Sequence, residues 1–324
     1  MENLLIITGP TGIGKTEISL KLANKYKGEI ISSDSMQIYK KLDIGTAKVD
    51  LDKTDIPHHM VDILEAHENF SVDRKSTRLN SSHANFKIKA KEIISEINKR
   101  GGLPILVGGT GLYINSIVYN LDFTETEADY EYRDELRKIL EEKGSEFLYN
   151  KLFNLNKDMA AKIHPNNGQR IIRALEILKS GNEKENNFRQ ENEDYNLIFI
   201  GLNMDRERLY ERINSRVDKM IELGLVDEVR SLLDQGLDKN SQSLKAIGYK
   251  EVISYLEGEI EYSEMIDLIK KNSRHYAKRQ LTWFRRDGRI KWFDRESDNL
   301  LEEIETYIDS KLYWWFRRKD DSIR

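Results

Sequence analysis

The residues best equipped for chemistry sit near the start of the chain, in Gly9-Pro10-Thr11-Gly12-Ile13-Gly14-Lys15-Thr16. Every fixed position of the phosphate-cradling pattern GxxxxGK[ST] is filled. The glycines let successive backbone N–H groups turn inward around a phosphate, and a following helix N-terminus adds partial positive charge. Lys15 can reach a terminal phosphate, and Thr16 can ligate Mg²⁺. The loop does not say which phosphate compound it holds; a nucleoside triphosphate is the default ligand. The second candidate is Asp34, which opens Asp34-Ser35-Met36-Gln37-Ile38-Tyr39. A carboxylate there can act as a general base, hold a metal through water, or cap the next helix. The residues alone leave those three open.

These groups need a scaffold. Leu4 to Thr8 is a short apolar run that stops at Gly9, as in a strand buried on both faces. Ile18, Leu20, Leu22 and Ala23 suit a helix packed on the sheet. A second strand, Glu29 to Ser33, delivers Asp34. In parallel sheets ligands lie beyond the carboxyl ends of strands, so Asp34 and Ser35 should project beside the phosphate loop. Asn196 to Leu202 reads as a later buried strand. Between them, Tyr132, Leu136, Ile139, Leu140, Leu148, Leu152, Ile171, Ile172, Leu175 and Leu178 carry helical spacing. The expected organisation is an α/β core of residues 1–120 and 197–324 with an inserted helical domain, residues 121–196. Asn182 to Asn196 is polar without an apolar period and reads as a loose loop. Asp205 to Leu223 reads as an amphipathic helix with the stripe Leu209, Ile213, Val217 and Met220; Arg216 lies one step beside it, where an arginine is usually solvated.

Composition bounds the function. The 324 residues carry 52 Lys+Arg against 56 Asp+Glu, a net charge of −4, which excludes a uniformly basic nucleic-acid binder. The absence of cysteine excludes disulfides, thiolate zinc sites and thiol catalysis. His58 and His59 are adjacent, poor spacing for a chelate, so no zinc site is expected. No apolar run is long enough to span a membrane and no signal peptide is legible, so a cytoplasmic globular protein is expected. The charge is segregated, however. Residues 124–147 sum to −5, whereas 270–292 sum to +8 with Trp283, Phe284 and Trp292 interleaved. Basic charge mixed with aromatics suits RNA backbone and base contacts. RNA affinity should therefore fall steeply as salt rises in a titration, and a flat response would exclude this segment as the contact.

Further motifs extend the pattern: Asp43-Ile44-Gly45-Thr46-Ala47-Lys48, Pro57-His58-His59, Gly108-Gly109-Thr110-Gly111-Leu112-Tyr113, His164-Pro165-Asn166, Gln169-Arg170-Ile171-Ile172-Arg173, Gly248-Tyr249 and Lys278-Arg279-Gln280-Leu281-Thr282-Trp283-Phe284. In this order, from residue 4 to about 310, the chain closely resembles the tRNA dimethylallyltransferase (tRNA isopentenyltransferase) family. The resemblance implies a P-loop NTPase-like parallel sheet core with an inserted all-helical domain. It reassigns the phosphate loop to the pyrophosphate of dimethylallyl diphosphate. It implies transfer of the prenyl group to N6 of adenosine 37 in tRNA, with Mg²⁺ at Thr16 and a monomeric enzyme. By the same resemblance Asp34 is the base, while Thr11 and Arg216 face the leaving diphosphate. It places tRNA contacts at Asp34, Ser35, Met36, Gln37, Thr110, Arg133, Gln169, Arg170, Ile171, Ile172, Arg173, Lys245, Gly248, Tyr249, Lys250, Lys278, Arg279 and Gln280. A blander reading of Gly248-Tyr249 is that it only starts a helix. The alternatives are an adenylate (AMP) isopentenyltransferase and a P-loop kinase of small molecules.

Two segments depart from the family. Asp73 to His83 adds about eleven residues without helical or strand period, either a tolerated surface loop or foreign sequence in the reading frame, the second favoured. The tail from Tyr313 to Arg324 either extends the RNA contact or frays, the second favoured.

Overall fold

The computed structural model describes residues 1–68, 86–120, 130–180 and 190–321. They form two compact units, one of residues 1–120 with 191–324, the other of residues 121–190. The Asp73–His83 segment lies outside the described residues.

The larger unit is built on six strands: β1 (Glu2–Thr8), β2 (Gly28–Ser32), β3 (His58–His59), β4 (Leu103–Gly108), β5 (Tyr195–Asn203) and β6 (Lys291–Asp294). All pair in parallel, in the order β3-β2-β4-β1-β5-β6. β1 reads as a continuous apolar run because both its faces are covered. Leu4 and Ile6 enter one core layer and Leu5 and Ile7 the other, as the two-residue period of a strand requires. From β1 the chain moves one way to β2, β3 and β4, then crosses to β5 and β6 on the other side. That reversal makes the carboxyl ends of β1 and β4 a topological switch point, where α/β sheets hold ligands.

The helices of this unit are α1 (Lys15–Tyr26), α2 (Phe86–Lys99), α3 (Gly111–Val118), α7 (Arg206–Glu222), α8 (Leu225–Asp234), α9 (Tyr249–Leu256), α10 (Tyr262–Phe284) and α11 (Leu300–Asp321). The Asp205 carboxylate caps α7 by accepting from the Glu207 and Arg208 N–H groups, and Leu209, Ile213, Val217 and Met220 form its buried stripe. The smaller unit holds α4 (Tyr130–Leu155), α5 (Lys157–Ala161) and α6 (Gly168–Lys179) around Leu136, Leu148, Leu152, Ile171, Ile172 and Leu175.

Two expectations need correction. The polar stretch before β5 is fastened at its described end. Asn192 is buried, its N–H donating to the Val118 carbonyl and its side-chain amide to that of Ile117 at 3.0 Å. Polar residues there serve backbone bonding, and polarity alone misread it as looseness. Residues 181–189 lie outside the described part. The tail does not leave helix at Tyr313, since α11 continues to Asp321.

Candidate active site

Three strand ends converge at the switch point: the phosphate loop after β1, Asp34 after β2 and Gly109–Thr110 after β4. The loop turns through Gly12 (φ 80°) and Gly14 (φ 94°), left-handed conformations that glycine adopts without Cβ strain. It borders a cavity of about 640 Å³ whose walls include Thr11, Lys15, Thr16, Asp34, Gln37, Thr46, Arg212, Arg216, Lys219, Tyr276 and Gln280.

Lys15 closes on its own loop, donating from Nζ to the Gly9 and Pro10 carbonyls at 2.9 Å each. An ammonium has three donors, so one remains for a ligand oxygen. Burial, helped by the nearby Arg216 charge and opposed by Asp34, brings its pKa down to about 7. The protonated form is the one that attracts a phosphate. Pyrophosphate affinity should therefore fall as pH rises through about 7, approaching about tenfold per pH unit. Calorimetric titration of wild type beside Lys15→Arg checks this. The arginine stays charged and should lack that component, and parallel profiles would refute it.

The Asp34 carboxylate takes the Met36 N–H on Oδ1 at 2.9 Å, which fixes its rotamer. Its second oxygen takes no hydrogen bond from any described residue. Ser32 Oγ donates to Gln37 Oε1 at 3.0 Å, and the Gln37 amide reaches the Thr46 carbonyl at 3.4 Å. Ser35 and Met36 are half-buried. The Ser35 N–H donates to Thr110 Oγ1 at 3.3 Å. Among Asp34 to Gln37, only Asp34 and Gln37 line the cavity.

Arg216 is not on the solvated face that periodicity alone suggested. Its Nη1 donates to Thr11 Oγ1 at 3.2 Å and its Nη2 to the Thr46 carbonyl at 3.4 Å. Burial lowers its pKa, and the Asp34 charge opposes that. Arg212 and Lys219 line the same cavity from α7, one turn before and one turn after. Arg212 also donates from Nε to the Gly12 carbonyl at 3.0 Å. These two cations, Thr46 and Tyr276 were missed by the sequence reading; the i, i+4, i+7 spacing of 212, 216 and 219 was the available signal.

The loop that supplies the Thr46 carbonyl is held by Glu228. One carboxylate oxygen accepts from the Asp43 and Ile44 N–H groups at 2.9 and 2.8 Å. The other accepts from the Gly45 N–H at 3.2 Å and the Tyr249 hydroxyl at 2.6 Å. Glu228→Gln replaces one acceptor with a donor that faces other donors. It should cost about 2–3 kcal/mol of stability, read as a lower urea midpoint with unchanged slope. An unchanged midpoint would show that the clamp carries no energy. Gly248 and Tyr249 are buried, Tyr249 at 0% exposure, and begin α9. Tyr249 supports this clamp from the core and Gly248 caps the helix, so burial sets both apart from the expected tRNA contacts and agrees with the helix-start reading; Lys245 and Lys250 remain exposed.

On α10, Lys278, Arg279 and Trp283 (39% exposed) face outward. Gln280 faces inward at 6% exposure. Tyr276, one turn earlier, lines the cavity; burial and the Asp34 charge push its pKa up to about 12. The basic segment is less free than its sequence suggested. Lys270 pairs with Asp218 at 2.6 Å, Arg274 bonds Asn214 at 2.6 Å, Arg289 pairs with Asp287 at 2.7 Å, and Phe284 is core.

In the smaller unit Gln169, Arg170 and Arg173 are exposed on α6. Ile171 and Ile172 are buried in that unit's core, so their expected contact role is corrected to packing. Arg133 is ion-paired with Glu176, which also holds Arg173 at 3.2 Å. Among the described residues no cluster of three or more His, Cys, Asp or Glu is arranged to hold a metal, and no helix is long and apolar enough to cross a membrane.

The family model described as IPP transferase matches residues 37–287, and one described as isopentenyl transferase matches residues 2–55. The tRNA dimethylallyltransferase of Halalkalibacterium halodurans is 46% identical over 96% of this chain and 98% of its own length. That of Clostridioides difficile is 47% identical over 95% and 98%. Among solved structures, the full-length tRNA isopentenylpyrophosphate transferase from Bacillus halodurans superposes with a TM-score of 0.73 at 44% identity, covering 99% of this chain and 100% of that one. A eukaryotic dimethylallyltransferase acting on tRNA gives 0.69 at 29% identity, covering 91% and 74%. With its strand-end cavity and its near full-length likeness to these enzymes, the chain belongs to the tRNA dimethylallyltransferase family of prenyltransferases.

Proposed function

We propose that the protein transfers a dimethylallyl group from dimethylallyl diphosphate to N6 of adenosine 37 in tRNA, releasing diphosphate, as a cytoplasmic monomer. The observation that carries this is the convergence of Asp34, the phosphate loop and Arg216 on one cavity. An adenine amino group is a weak nucleophile because its lone pair is delocalised into the ring. Asp34 accepts the N6 proton through its uncommitted oxygen as the N6–C1 bond forms. The C1–O bond breaks and its electron pair leaves on the diphosphate. Arg216 uses two of its five donors within the protein, so three remain for that oxygen. Thr11 Oγ1 and Lys15 complete the anion cradle. The carbon is allylic, so developing positive charge is delocalised and no covalent enzyme intermediate is needed.

Mg²⁺ fits the donors present. Thr16 and Asp34 both line the cavity, and the Thr16 hydroxyl, which takes no hydrogen bond from a described residue, is a hard oxygen ligand. When bound, the ion would offset diphosphate charge. The base has to leave its stack to meet Asp34, so extrusion into the cavity is part of the proposal. Exposed Lys278, Arg279 and Trp283 suit RNA phosphates and bases.

Incubation with labelled dimethylallyl diphosphate and either tRNA or AMP tests the assignment. Label in tRNA alone supports it. Label in AMP alone would favour the adenylate isopentenyltransferase, and ATP turnover without label would favour a kinase.

A further inference from the structure

α10 has two working faces, and Gln280 is on the one turned away from solvent. Its amide spans two strand ends. Oε1 accepts the Thr11 N–H at 2.8 Å, and Nε2 donates to the Gly109 carbonyl at 3.0 Å. A carbonyl oxygen must meet the N–H and an NH₂ must meet the C=O, so the amide has a single orientation here. We infer that Gln280 is a positioning residue for the diphosphate loop rather than an RNA contact, and that it fastens α10 to the leaving-group site. The inference rests on the prenyl-transfer reading for its catalytic consequence.

Three observations support it. First, Gln280 engages the Thr11 N–H, which fixes the backbone that carries Thr11 Oγ1. That hydroxyl is the one Arg216 engages. Displacing Gln280 therefore moves a leaving-group contact without touching it. Second, position 109 is built around this amide. A Cβ on Gly109 would lie 2.0 Å from Gln280 Nε2, so no other residue fits while the amide is in place. Third, Tyr276, one turn earlier on the same helix, lines the same cavity as Gln280, so two residues of α10 form the wall of the leaving-group site. α10 thus meets the ends of both β1 and β4, while Lys278, Arg279 and Trp283 lie on its exposed side.

Gln280→Leu removes both hydrogen bonds, Gly109→Ala displaces the amide, and Gln280→Glu changes its proton inventory. Inorganic pyrophosphate affinity by calorimetry, tRNA affinity by filter binding, and single-turnover transfer are the readouts. For Gln280→Leu and Gly109→Ala, pyrophosphate affinity should fall about tenfold and transfer about 10- to 100-fold. tRNA affinity should stay within about twofold. The double variant should lose little more than either single one.

Gln280→Glu supplies a signature that a packing role would not give. A protonated carboxyl has one acceptor for the Thr11 N–H and one donor for the Gly109 carbonyl, whereas a carboxylate has no donor. Its deficit relative to wild type should therefore shrink as pH falls. Lys15, Asp34, Arg216 and Tyr276 face the same cavity, so the added carboxylate also bears on their charges, and the ratio is read beside that of Gln280→Leu, which adds no charge. A pH-independent ratio overturns the inference. So does a tenfold loss of tRNA affinity with pyrophosphate binding intact. If wild type moves no label to tRNA, the functional reading fails, while the pyrophosphate arm still judges Gln280. Should Gln280→Leu not fold, Gln280→Glu and Gly109→Ala decide.

Discussion

Asp34→Asn should lower prenyl transfer to tRNA by at least ~10²-fold while leaving tRNA affinity within about twofold. Asparagine keeps the oxygen that takes the Met36 N–H, so the turn after β2 is preserved. What disappears is the capacity to accept a proton, because a carboxamide is not a base at neutral pH. Asp34→Ala should lose at least as much and should also loosen the turn. Comparing the two separates basicity from local structure. The negative charge also matters, since Asp34 raises the pKa of both Lys15 and Arg216. Asp34→Asn should therefore shift the pH dependence of pyrophosphate affinity to lower pH. Single-turnover rates, filter binding and calorimetry check the three parts. Near wild-type transfer would remove Asp34 from the mechanism.

Arg216→Ala should also cost at least ~10²-fold in transfer, by a different route. The guanidinium is held by Thr11 and by the loop of Glu228, with donors left over for an anion. Its removal withdraws a half-buried positive charge from where the diphosphate departs. The Km for dimethylallyl diphosphate should rise and kcat should fall together. Arg216→Lys should rescue poorly, because a point charge cannot serve the Thr11 hydroxyl, the Thr46 carbonyl and a diphosphate oxygen in one plane. There is a cross-effect. Arg216 depresses the Lys15 pKa, so Arg216→Ala should move the fall in pyrophosphate affinity to higher pH. A profile unmoved by Arg216→Ala would mean the two cations do not share a site.

The phosphate loop was legible in the sequence because strict spacing between a strand and a helix leaves few other meanings; for Asp34 the strand end gave the place beside that loop, and only family resemblance chose among base, metal ligand and cap. Arg216 was legible only through family resemblance. Helical periodicity places it beside the buried stripe of α7, and periodicity cannot tell solvent from a cavity wall. Gln280 shows the same limit from the other side. Within a run of net +8 it read as one more RNA contact, yet it is 6% exposed and bonds the phosphate loop. Charge counting also overstated that run, since Lys270, Arg274 and Arg289 have partners within the fold. Glu228 carried no motif. Its importance comes from three N–H groups and a hydroxyl that only the folded loop brings together. Asn192 was misread because a polar side chain that satisfies backbone carbonyls has the composition of a loop.

The most direct test is the mass of the anticodon-loop fragment of tRNA after incubation with dimethylallyl diphosphate and either wild type or Asp34→Asn. The proposed chemistry predicts that wild type adds one C₅H₈ unit to the adenosine at position 37 and nowhere else, and that the variant leaves the fragment almost unmodified. An unmodified fragment with wild type, or equal modification by both proteins, would contradict it.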